Sequence, residues 1–376
     1  MQSMTQAQYD SLLPCVTVPK DLLEKTYENT KHNQTITGYY DRLWRETQLD
    51  KLLYKVESVC ECNTVIQLDR YEKAKIKDYK RTNLCRDKFC SNCKKVIQAA
   101  RMGKYIPALK RHKDQLYHLT LTQPNCNAAD LTATIKKMSE RFRQLIRYLR
   151  CEKKIRGLDF TEWGYEGAIR SLEVTYKSDP NHPECYHPHY HVALSLKDFD
   201  LGVRHIKNVY SYDYKSDKVT LYTENEVLIQ KIWYLLMNDQ TVTKAAIDKL
   251  EIGYTCKINK FEEDKYKELF KYLSKATDED DKLLTYEHFK TQYFAFYRVK
   301  QIQGYGVFYR IDGEVSEADI EAAKKEYDLL IEYLQKNESP IEEFSLLRDL
   351  LTDFHLYTLI SRKRIFKYLI DSIADG

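Results

Sequence analysis

The chain has 376 residues, 43% of them apolar and 31% charged, with a formal net charge of +4. That composition supports a sizeable core. It contains no apolar run near the roughly 20 residues that a membrane span needs. Residues 1–20 lack the basic start and apolar stretch of a secretory signal, so a cytoplasmic location is expected, and the ten cysteines argue for thiol chemistry rather than a disulfide framework.

In chain order, residues 1–55 read as a polar, partly helical segment. Residues 56–104 form a cysteine-rich basic segment. Between Arg70 and Lys113 the Lys and Arg residues face only Glu72, Asp78 and Asp87 as acids. Such a local excess neutralises phosphates and releases counterions, which favours DNA. Lys94, Lys95, Arg101 and Lys104 are its expected DNA contacts.

Residues 105–315 carry the regular patterns. Gln115 to Thr122 alternates like a strand. Ala128 to Cys151 has apolar residues at helical spacing. Ala168 to Tyr176 is strand-like, the turn-rich SDPNHPE follows, and Tyr186 to Leu196 is another strand. Glu224 to Asp239 and Asp264 to Lys275 read as helices, and Phe294 to Tyr309 as extended around Gly304 and Gly306. The order predicts an α+β plan, a central antiparallel β-sheet with flanking helices. Residues 316–376 read as a helical region, whose apolar stripe at Leu329, Leu330, Tyr333 and Leu334 suits either homodimer formation or origin specificity.

Three constellations carry chemistry. His187, His189 and His191 alternate along one strand and therefore share a face. Two imidazoles at that spacing can grip one metal ion, and Glu173 on the preceding strand can complete a site of two histidines and a carboxylate. Glu268, Tyr272 and Lys275 fall on one helix face. A tyrosine is a nucleophile when its phenol is deprotonated or bonded to a base, and a nearby ammonium lowers the cost of the phenolate. Glu268 is placed to activate water. Finally, Cys85, Cys90 and Cys93, with Cys60 or Cys62 as the fourth thiolate, have the spacing of a structural zinc site.

Taken together, these motifs resemble the Rep proteins of small Gram-positive rolling-circle plasmids, within the His-hydrophobic-His (HUH) endonucleases. Leu119-Thr120-Leu121-Thr122 matches the first family motif, His187 to Leu194 the second, with His189 and His191 as ligands, and Tyr272 to Lys275 the third. Glu173 matches the family's strand glutamate, Glu268 the glutamate used at termination, and Tyr297 to Phe308 resembles a closing strand pair. His187 is either an extra ligand or a neighbour of the ligands.

The resemblance implies an HUH endonuclease fold over residues 105–315. It implies origin nicking that depends on Mg²⁺ or Mn²⁺ and passes through a 5′-phosphotyrosine on Tyr272, with hydrolysis aided by Glu268 at termination. Origin DNA, a host helicase and a host DNA polymerase are the implied partners, since the chain has no phosphate-binding loop of its own for unwinding. Two other readings remain open from the sequence: an HUH transposase or relaxase, and a zinc-containing DNA-binding regulator without catalysis.

Overall fold

The structure is a computed structural model that describes residues 20–62, 65–71, 76–82, 84–91, 93, 97, 105–106, 108–179, 182–213, 217–262, 269, 284–312 and 355–361. The chain divides into two compact units, Met1–Gly103 with Val315–Gly376, and Lys104–Glu314.

The first unit begins with helices α1 (Lys20–Thr47) and α2 (Lys51–Cys60). Ile36, Tyr40 and Leu43 are buried at helical spacing on α1, as are Leu52 and Val59 on α2. Strand β1 (Val65–Tyr71) pairs antiparallel with β2 (Ile76–Thr82) on one side and with a strand at His355–Ser361 on the other. The described part of the region read as helical, 316–376, is therefore a strand. Its sequence HLYTLIS mixes β-branched and aromatic residues, a composition that suits pairing. The sequence boundary at residue 55 also falls inside α2, where the helical pattern runs on to Cys60.

The second unit is built on a five-stranded antiparallel sheet. Its strands are β3 (Leu116–Leu121), β4 (Tyr165–Asp179) and β5 (His182–Leu196). After a short ladder of β6 (Tyr212–Asp213) with β7 (Lys218–Val219), β8 (Cys256–Lys260) and β9 (Ile302–Gly306) complete it. The order across the sheet is β8-β3-β5-β4-β9. Alternation sorts the side chains. Tyr117, Leu119 and Leu121 lie on one face with Tyr190, Val192 and Leu194 of the paired β5. Against that face pack α3 (Ala128–Leu149), α4 (Glu224–Met237) and α6 (Tyr286–Ala295), with the short α5 (Lys244–Lys249) beside α4.

Helix α3 inserts Leu131, Ile135, Met138, Phe142, Leu145 and Leu149, all buried. Phe142 meets Tyr190 and Tyr305, and truncating such a ring to Ala costs about 3–5 kcal/mol. Arg170 is buried in this layer. Its guanidinium stacks on Tyr190 and Phe142, and it donates to Tyr305 Oη, Gln303 Oε1 and Ser139 Oγ at 3.0–3.1 Å. One side chain thus ties β4 to both β9 and α3. Helix α4 starts with a capping box, Thr223 and Glu226 bonding each other's backbone. The buried Glu226 also accepts from Ile258 N of β8 at 2.8 Å.

The stretch read as extended, Phe294 to Tyr309, is only partly so. Helix α6 runs to Ala295, and β9 is one strand along β4 rather than a pair. After β9 the chain turns sharply: Gly306 has φ +61°, and a Cβ there would lie 2.2 Å from Glu166 O.

Candidate metal centre

β4 and β5 form a long hairpin whose register makes Glu173 the cross-strand partner of His189, and Ser171 that of His191. Residues two apart share a face, so Glu173, His189 and His191 converge on the side opposite the α3 layer. Glu173 Oε2 lies 2.7 Å from His189 Nε2 and 3.0 Å from His191 Nε2. All three ligand atoms lie within 4.8 Å of one another. Two ligands at right angles on an ion with bonds of about 2.1 Å are about 3 Å apart, so these spacings suit one divalent cation.

The donor chemistry points the same way. His189 Nδ1 lies 3.1 Å from the carbonyl oxygen of His187, which only accepts, so Nδ1 carries the hydrogen. A neutral His189 then turns the Nε2 lone pair toward a carboxylate oxygen. That is favourable only with a cation, proton or metal, between them. Burial opposes the charge on Glu173, yet the hydrogen bonds and charges of the two imidazoles outweigh it and hold the carboxyl at about 2.

His118, which the sequence reading passed over, supports His191. The two rings stack with centroids 5.4 Å apart and planes 1° from parallel, and His118 Nε2 lies 3.2 Å from His191 Nδ1. A partner on the far nitrogen fixes which nitrogen faces the metal. The signal was in the sequence: His118 has the same strand parity as Thr120, the register partner of His191.

His187 does not join the three. It lies one strand period further on, roughly 7 Å along the strand, and its Nδ1 is 2.8 Å from Asn125 Oδ1. Burial, then the charge of His189, lowers its pKa to about 4, so it is neutral at neutral pH. Glu268, Tyr272 and Lys275 lie outside the described residues, as do Lys94, Lys95, Arg101 and Lys104. Leu269, which is described, is helical and fully buried.

The second cluster belongs to the first unit. Cys62, Cys85, Cys90 and Cys93 bring their sulfurs together, with Sγ–Sγ distances of 3.4–3.6 Å for three of the pairs. Tetrahedral zinc with Zn–S bonds of about 2.3 Å sets sulfurs about 3.8 Å apart. The choice between Cys60 and Cys62 is therefore made by the turn after α2: Cys60 ends the helix and is exposed, while Cys62 is buried in the cluster.

Backbone N–H groups of Arg86 and Asp87 donate to Cys93 and Cys85 sulfurs, and Asn33 Nδ2 of α1 donates to Cys90 at 3.1 Å. Hydrogen bonds shared among the four sulfurs push the Cys62 thiol down from its usual range and the Cys85 and Cys93 thiols up. Beside the cluster, the buried Asp87 accepts from Tyr40 Oη and Phe89 N and pairs with Lys55 at 2.8 Å. Residues before 56, with no assigned role in the sequence, thus brace the cysteine knuckle.

Residues 76–201 match a family model described as Replication protein. That span holds Glu173, His189, His191 and three of the four clustered cysteines, and it ends before Tyr272. The chain is 27% identical over 180 residues to a "Protein rep" of Staphylococcus aureus, covering 46% of this chain and 69% of that protein. A "Protein rep" of Streptococcus pneumoniae is 28% identical, over 42% of this chain and 50% of its own length. One of Bacillus amyloliquefaciens is 30% identical, over 41% and 42%. The chain thus spans half or less of the latter two relatives. No solved structure matches it.

Proposed function

We propose that this chain, which carries a Rep-type replication-protein domain over residues 76–201, initiates rolling-circle replication of a plasmid by nicking one strand of origin DNA and remaining joined to its 5′ end. The observation that carries this reading is the convergence of Glu173, His189 and His191 on one sheet face inside that domain.

Those three residues would hold Mg²⁺ or Mn²⁺. When bound, such an ion supplies positive charge beside the non-bridging oxygens of the scissile phosphate. Glu173, kept ionised by its imidazole partners, contributes the one negative ligand, and His118 orients His191. Tyr272 is the nucleophile. Its phenol oxygen bonds to phosphorus and its proton is lost, while the bond from phosphorus to the 3′ oxygen breaks and that oxygen takes up a proton. The free 3′-OH then primes a host polymerase. Lys275, three residues after Tyr272 in sequence, stabilises the phenolate. At termination Glu268 takes a proton from water, so that a regenerated junction is cut by hydrolysis and one tyrosine suffices. The sequence spacing of Glu268, Tyr272 and Lys275, which a helix would bring to one face, supports these roles, and Leu269 between the first two is helical and buried.

The cluster of Cys62, Cys85, Cys90 and Cys93 would hold a structural Zn²⁺, stapling a segment too polar to fold unaided. Origin DNA is the substrate, and strand separation falls to a host helicase.

The test incubates the full chain with end-labelled single-stranded origin oligonucleotides and Mn²⁺, with Tyr272→Phe alongside. The expected result is a denaturant-resistant adduct carrying the DNA downstream of the nick, abolished by EDTA and by Tyr272→Phe. Absence of any adduct from the unaltered chain would overturn the proposal. Adduct formation that survives Tyr272→Phe would move the nucleophile to another tyrosine.

A further inference from the structure

Helix α3 has an outer face that the core does not use. Lys136, Arg143, Arg147 and Arg150 are spaced by seven, four and three residues, so they fall on one stripe, and all four are exposed. From Lys136 to Arg156 the chain has nine Lys or Arg against Glu140 and Glu152. The acids that face this surface offset part of it. Glu152 pairs with Arg150 at 3.0 Å and Arg147 at 3.7 Å, and Asp239 pairs with Lys137 and Arg141 on the flank. A positive excess remains. Glu140, Arg141, Arg143, Gln144 and Arg147 line a shallow groove along it.

The stripe runs about 21 Å, at 1.5 Å per helical residue. Duplex DNA presents one negative charge per about 1.7 Å of axis, both strands counted, so that length of duplex carries about a dozen phosphates, of which the stripe meets those on the near side. Its position in the fold decides which DNA it can meet. The buried side of α3 rests on the sheet face of Tyr190 and Val192, whereas His189 and His191 point from the opposite face. The stripe is therefore turned away from the strand being cut.

We infer that the outer stripe of α3 docks the sugar–phosphate backbone of duplex DNA, gripping the duplex that flanks the nick while the scissile strand occupies the other side of the sheet. This rests on the nuclease reading above and adds to it a second, sequence-independent contact surface.

The test measures binding of the full chain to a random-sequence DNA duplex over a range of salt concentrations. It compares Arg143→Gln, Arg147→Gln, Arg150→Gln combined with a control triple, Lys207→Gln, Lys218→Gln, Lys249→Gln, taken from exposed positions elsewhere in the same unit. Both remove equal charge. The stripe variant should bind at least about tenfold more weakly, and its slope of log affinity against log salt should be shallower by about 2–3, close to 0.9 per lost phosphate contact. The control should stay near the unaltered chain.

Unchanged affinity and slope in the stripe variant would overturn the inference, as would an equal loss in the control. Binding to phosphatidylserine vesicles with none to duplex would also overturn it. Single-strand cleavage by the unaltered chain is read in parallel. Should it cut nothing yet lose duplex binding with the stripe, the docking surface stands and the nuclease reading falls.

Discussion

Glu173 and His189 are register partners across β4 and β5, and their Oε2 and Nε2 atoms lie 2.7 Å apart. The candidate metal centre is thus written into a backbone ladder. Glu173→Gln keeps the shape and removes the negative charge that Glu173 offers an ion. Mn²⁺ affinity, measured by titration calorimetry, should fall by at least about 100-fold with the fold intact by circular dichroism, a loss at the upper end of, or beyond, what removing mere supporting groups produces. Unaltered Mn²⁺ affinity would remove Glu173 from the ligand set.

His118 reaches the candidate metal centre through His191, so we assign it a positioning role. His118→Phe preserves an aromatic stack and deletes the nitrogen. We expect Mn²⁺ affinity to drop about 10- to 100-fold, with partial recovery in His118→Gln, which restores a polar partner for His191 Nδ1. Equal affinity in Phe and Gln variants would show that packing, not the hydrogen bond, is what matters.

The cysteine knuckle separates Cys62 from Cys60. Cys62→Ser should abolish stoichiometric zinc, read by elemental analysis of purified protein, and lower the melting temperature. Cys60→Ser should leave both unchanged. Asn33→Ala, which removes a donor to Cys90 Sγ, should retain zinc but release it faster to a chelator.

The depressed pKa of Glu173 makes a pH prediction. Its folded value of about 2 lies below the ordinary 4.5. A lowered carboxyl pKa contributes stability that is present above the unfolded value and is lost as pH falls through the folded one. In EDTA, the gap in melting temperature between the unaltered chain and Glu173→Gln should therefore be present at pH 4.5 and close as pH is lowered toward 2. A gap constant over that window would mean that Glu173 gains nothing from its imidazole partners.

Much of the sheet and its ligands was legible because burial of one face imposes a period of two. His187, His189 and His191 had to share a side, and Leu119 and Leu121 had to face the helices. Helix α3 was legible for the matching reason at period 3.6. The hairpin was underread because SDPNHPE looks like a wide turn, whereas pairing continues through Lys177↔Cys185 to Asp179↔His182. Pairing there is supplied by the opposite arm, which local composition does not encode. His118, Asn33 and Tyr40 escaped for a similar reason. Their roles depend on partners 73, 57 and 47 residues away in sequence. The Phe294 to Tyr309 segment differs from its extended reading because its aromatic residues suit strand and helix alike, and Thr285, which caps α6 by accepting from His288 N, lies nine residues upstream of Phe294.

The hairpin register also says where this protein can change length across generations. Every pairing from Ala168↔Leu194 to Lys177↔Cys185 counts inward from the same end of the hairpin, the tip beyond the Asp179↔His182 pair. Residues gained or lost at the tip leave Glu173 opposite His189. A single residue gained or lost between Glu173 and the tip, or between the tip and His189, shifts one arm by a step and turns its ligand to the wrong side of the sheet, unless a bulge absorbs it. Natural variation in length should therefore collect at the tip and avoid both arms.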